Sequence, residues 1–94
     1  MLFKTVEQID QDLAKRVKRL RRQKGFTQKQ FADKCSLSYG TYKLFEQTGK
    51  ISLLGLTQIA AGLGREDEID NLFMGREYSS IDEVIKEYEE SEKA

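Results

Sequence analysis

The chain has 94 residues, 34% of them charged and 38% hydrophobic, which fits one small core and is too short for two. No apolar run approaches the roughly 18–20 residues needed to span a bilayer. The opening Met1-Leu2-Phe3-Lys4-Thr5 lacks the apolar centre of a secretion signal, so a cytoplasmic protein with no membrane partner is expected. Cys35 is the one cysteine; with no internal disulfide to form, it suits a reducing compartment.

The formal net charge of zero hides a division along the chain. Residues 1–50 carry twelve Lys/Arg against five Asp/Glu, a balance of +7, and residues 51–94 carry four against eleven, a balance of −7. A basic half suits a polyanion, while an acidic half suits solvent, a basic partner, or repulsion of nucleic acid from the wrong face. Each charge run taken alone also has the look of a solvated helix face.

Thr5 and Gln8 have the form of a capping box, which predicts a first helix from Val6. Val6, Ile9, Leu13, Val17 and Leu20 recur at spacings of three and four and define its buried stripe. Lys15, Lys18, Arg19 and Arg22 project elsewhere, and Gly25 ends the helix. Thr27 and Gln30 form a second capping box for a short helix over 28–34, with Phe31 and Ala32 inward. Cys35-Ser36-Leu37 is the turn, and Ser38 caps a third helix running to about Gln47.

After a loop at 48–51, Ser52 caps a fourth helix over 53–63, expected to bury Leu53, Leu56, Ile59, Ala60 and Leu63 before Gly64 closes it. A fifth, over 66–73, uses Ile69, Leu72 and Phe73 as its apolar side, and Gly75 breaks it. Ser80 and Glu83 open a last helix over 81–90. This divides the chain into a helix-turn-helix domain at 1–75, with its reading head at 27–47, and a dependent acidic helix at 76–94.

The third helix carries the functional signal. With about 100° per residue, Tyr42 and Phe45 share the inward face. Tyr39, Gly40, Lys43, Leu44 and Gln47 occupy the outer arc: an aromatic hydroxyl, a cation, an amide, an apolar side chain and a glycine. That set suits the major groove, where base edges present donors, acceptors and thymine methyls. Gly40 within a helix costs on the order of 1 kcal/mol relative to Ala; either something approaches the backbone there, or the glycine eases the first turn. Thr27 and Gln28 at the second helix, with Thr48, Lys50 and Ser52 at the fourth, are placed to contact phosphates on either side of the reading helix.

Leu20-Arg21-Arg22-Gln23-Lys24-Gly25-Phe26-Thr27-Gln28, Phe31-Ala32, Ser38, Tyr42, Phe45-Glu46, Gly49, Ser52, Leu56, Ile59-Ala60 and Leu63-Gly64 together resemble the Cro/repressor-type helix-turn-helix family, also called XRE-like or lambda-repressor-like. The resemblance covers about residues 13–64. It implies an all-α, compact five-helix domain with an additional C-terminal helix, binding double-stranded DNA as a homodimer on an inverted repeat, as a bacterial or phage-type repressor does. It also implies that Gln28 meets phosphate, that Tyr39, Gly40, Lys43 and Leu44 face bases, and that Arg21 pairs with Glu46. Two positions depart from the family: the turn residue that is usually Gly is Ser36, and Tyr39 stands where a small polar residue or Gln is common. The first predicts a turn that is either strained or differently shaped.

Phe45-Glu46-Gln47-Thr48-Gly49-Lys50-Ile51-Ser52, Asp70-Asn71-Leu72-Phe73 and Ser80-Ile81-Asp82-Glu83 are similar to HipB-like antitoxin regulators. That likeness implies an alternative function, an antitoxin binding a protein toxin through its C-terminal half and regulating its own operon. Ile81, Val84, Ile85 and Tyr88 form an apolar stripe on the last helix for folding back, dimerising or docking such a partner.

Catalysis has little to build on. With no His the commonest general base and metal ligand is missing. Cys35 reads as a small buried hydrophobe before it reads as a nucleophile. The carboxylates at 66–70 and 82–92 lack the alternating ligands and glycine of a calcium loop, and Gly62-Leu63-Gly64 lacks the companions of a phosphate loop. Neither an enzyme nor a cofactor or metal site is expected.

Overall fold

A computed structural model describes residues 3–75 and 88–90. Residues 3–75 contain five helices and no strand: α1 (Val6–Gln23), α2 (Gln28–Lys34), α3 (Tyr39–Thr48), α4 (Leu53–Gly62) and α5 (Glu66–Asp70). Residues 88–90 are also helical. No described helix is long and apolar enough to cross a membrane.

Four of the five helices start where a short polar side chain accepts an otherwise unpaired backbone N–H. Thr5 accepts from the Gln8 amide and Thr27 from the Gln30 amide, and in both cases the glutamine reaches back to the cap backbone. Ser38 accepts from Thr41 and Ser52 from Gly55. The fifth helix has no side-chain cap and is only five residues long. Gly25, Gly49 and Gly64 follow α1, α3 and α4 with φ of 80°, 80° and 71°, a backbone shape that glycine adopts without steric cost.

The core joins Ala14 and Val17 of α1, Phe31 and Ala32 of α2, Cys35, Tyr42 and Phe45 of α3, Ile59 of α4, and Leu63. Phe31 and Tyr42 meet edge-to-face at 5.2 Å between ring centroids. Two glycines set how closely the helices approach. A Cβ on Gly62 would stand 2.4 Å from the Cys35 sulfur, and one on Gly49 would stand 2.8 Å from the Asp10 carbonyl carbon. Gly62 therefore serves the contact between α4 and the end of α2, and Gly49 lets the α3 terminus rest on the α1 backbone.

Three expectations are corrected. The buried line of α1 is Ala14, Val17 and Arg21, while Val6 and Ile9 are exposed. At 18 residues, or about 27 Å, α1 is longer than the other helices, and its core contacts come from Ala14 onward. Leu53 is exposed, since the start of α4 extends past the core that Ile59 and Leu63 enter. The fifth helix stops at Asp70 rather than Phe73; residues 71–75 form turns, with Phe73 at φ 70° and both Leu72 and Phe73 exposed. Ile81, Val84 and Ile85 lie outside the described residues. Tyr88 is described, and it is 65% exposed.

Candidate nucleic-acid interface

The inner and outer faces of α3 differ sharply. Tyr42 and Phe45 are fully buried, whereas Tyr39, Gly40, Lys43, Leu44 and Gln47 all lie on the exposed side. The Lys43 ammonium stands 5.6 Å from the centroid of the Tyr39 ring, within the range of a cation–π contact. The two side chains are one helical turn apart, at the i,i+4 spacing that makes neighbours on a helix surface. Around Gly40 an added Cβ would meet nothing within 4 Å. Packing among the described residues therefore gives no reason for glycine at this position.

What holds this face in place is a buried ionic cluster behind it. Arg21 Nε donates to Glu46 Oε2 at 2.7 Å and Nη2 to Glu46 Oε1 at 3.2 Å, so the α1–α3 pair expected from the family resemblance is formed. Its side chains are 8% and 3% exposed. Arg21 Nη1 also donates to the Phe26 carbonyl at 2.7 Å, and Gln28 Nε2 donates to Glu46 Oε1 at 3.2 Å. One carboxylate thereby ties α1, α2 and α3 together. Burial acts to raise the Glu46 carboxyl, but Arg21 first, then the nearby Tyr42 hydroxyl and Gln28, together outweigh it and hold the group below its ordinary range. Arg21 in turn holds its proton more firmly because of Glu46. The Tyr42 hydroxyl is buried near this pair, out of hydrogen-bonding geometry, and burial raises its phenol strongly, with Glu46 adding to the effect.

The residues singled out for phosphate contact fall into three groups. Lys50 is exposed and makes no ion pair among the described residues. The hydroxyls of Thr27 and Ser52 accept helix-cap bonds from Gln30 and Gly55, and an accepting hydroxyl keeps its own hydrogen to donate. Gln28 likewise keeps a second amide hydrogen beside the one given to Glu46. Thr48 differs: its hydroxyl donates to the Leu44 carbonyl at 2.7 Å while accepting from the Lys50 amide at 3.1 Å. Its single hydrogen is spent on α3.

Of the two outcomes that Ser36 predicted, the turn before α3 carries the strain. Ser36 has φ 58°, in the left-handed region that favours glycine. Cys35 is buried under it and Leu37 packs against the core. Burial pushes the Cys35 thiol up to about 11, which leaves it protonated at neutral pH. Among the described residues no three His, Cys, Asp or Glu side chains come together as metal ligands would.

Compared with family models, curated proteins and solved structures, the chain finds no match.

Proposed function

We propose that this chain is a sequence-specific regulator that binds double-stranded DNA, inserting the outer face of α3 into the major groove in the lambda-repressor-like manner. It acts as a dimer on an inverted repeat and represses by occluding a promoter. The observation that carries this reading is Gly40, a glycine inside a helix whose Cβ would meet only open space. It lies among exposed side chains able to contact base edges. Thr27, Gln28, Lys50 and Ser52 supply the flanking phosphate contacts.

The test separates stability from binding. Gly40→Ala is expected to raise stability by about 0.5–1 kcal/mol while weakening binding to the preferred duplex, selected from random sequence. The Lys43→Ala, Lys50→Ala double variant should lose affinity, and a footprint of about six phosphates gives a log–log salt slope near −5. Selection that enriches no sequence, or both variants binding as the wild type does, would sink the proposal. A second reading, an antitoxin gripping a protein toxin with its C-terminal half, draws support from exposed Leu72, Phe73 and Met74 beyond α5.

A further inference from the structure

Between α1, α4 and α5 lies a groove of about 300 Å³. Leu13, Val17, Leu20, Leu56, Ile59 and Leu63 form its apolar floor, and Arg16, Arg19 and Arg65 stand on its rim. Arg65 is paired with Glu68. Arg16 and Arg19 make no ion pair among the described residues, and Lys15, Lys18 and Arg22 extend the basic ridge along α1. The groove thus offers a greasy channel beside positive charge that no carboxylate among the described residues pairs.

The chain also contains a segment of the opposite kind. With helical spacing of about 100° per residue, Ile81, Val84, Ile85 and Tyr88 share one narrow arc. Asp82 and Glu89 flank that arc on one side and Glu87 on the other. Tyr88, the described member of the stripe, is 65% exposed.

We propose that the groove receives the acidic, apolar-striped segment 80–90 of a second copy of this chain, in reciprocal exchange. The stripe lies on the floor, and the flanking carboxylates meet Arg16 and Arg19. A two-fold axis makes both contacts equivalent, so each copy contributes one groove and one segment. This gives the dimer of the proposed function a physical basis and leaves the outer face of α3 free.

The test is sedimentation equilibrium of the full chain without DNA, so its outcome is independent of whether DNA is bound. The wild type should dimerise. Arg16→Glu with Arg19→Glu, and separately Asp82→Lys with Glu89→Lys, should each weaken self-association at least about tenfold, since reversing rim charges places like charges together. The two charge-reversed proteins, mixed in equal amounts at physiological salt, should recover a dimer, because every groove then meets a segment of opposite charge. Val84→Asp should dissociate the wild-type dimer while keeping its helical circular dichroism. A wild type that stays monomeric at every accessible concentration would overturn the proposal, whether the segment folds onto its own groove or serves a foreign partner. So would charge-reversed variants that dimerise normally, or a mixture that stays monomeric.

Discussion

Phe31, Tyr42 and Phe45, in α2 and α3, are at most 1% exposed, whereas Leu53, Leu54, Leu72 and Phe73, from α4 onward, are 52–85% exposed. Both regions are rich in large apolar residues and both begin on a well-formed serine or threonine cap. The difference is enclosure. α2 and α3 pack on each other, α1 lies against α3, and Gly62 brings α4 onto Cys35, so their inward faces are covered from several directions. The start of α4 and the turns after α5 lie at the margin of that assembly. Helical periodicity tells which residues share a face; it cannot tell whether a neighbour is present to cover it.

The largest effect should come from breaking the enclosed region at its one buried charge pair. Glu46→Ala strands the Arg21 guanidinium in a site 8% exposed and should cost about 3–5 kcal/mol in urea unfolding. Because Glu46 titrates below its ordinary 4.5 in the folded chain, its contribution is complete above pH 4.5 and is lost as pH falls through the folded-state value. Wild type and Glu46→Gln should therefore converge in stability on acidification. A gap that stays constant down to pH 2 would show that the pair is not what the acid limb measures.

Gly49→Ala should rank next. It forces a Cβ against the Asp10 backbone and puts a side chain at φ 80°, two costs that together amount to about 2–4 kcal/mol. A thermal melt unchanged from wild type would mean that the α1–α3 approach relaxes freely. Ser36→Gly works in the other direction: relieving a left-handed serine should stabilise by about 0.5–1 kcal/mol.

The smallest effect sharpens the contrast from the open side. Leu53→Ser with Leu54→Ser, at positions 72% and 71% exposed, should stay within about 0.5 kcal/mol per site of wild type. A loss of several kcal/mol, if it scaled with protein concentration, would reveal that these leucines are covered in an assembly.

Much of this architecture was legible in the sequence because it rests on local rules. The capping residues Thr5, Thr27, Ser38 and Ser52, the terminal glycines and the turn at Cys35-Ser36-Leu37 each depend on a few neighbouring residues, and each appears where the spacing placed it. The exposed arc of α3 was legible for the same reason, since Tyr42 and Phe45 fix which side turns inward. The Arg21–Glu46 pair, 25 residues apart, lay beyond any local rule, and only its likeness to a known family suggested it. Gln28 was assigned to phosphate from its place at a helix start. Its bond to Glu46 could not be read there, because that carboxylate arrives from another helix.

The sequence by itself determined where α1 to α4 begin and, to within about a residue, where they end, which side of α3 is polar and open, and the division into a basic and an acidic half. These follow from hydrogen bonds and periodicities that span a few residues. Tertiary structure alone decided that α1 buries Ala14, Val17 and Arg21 while leaving Val6 and Ile9 in solvent. It also decided that Gly49 and Gly62 are contact glycines, and that an apolar groove with a basic rim opens beside α1. Each of these depends on the distance between elements far apart in the chain, and that distance is set only when the helices have packed.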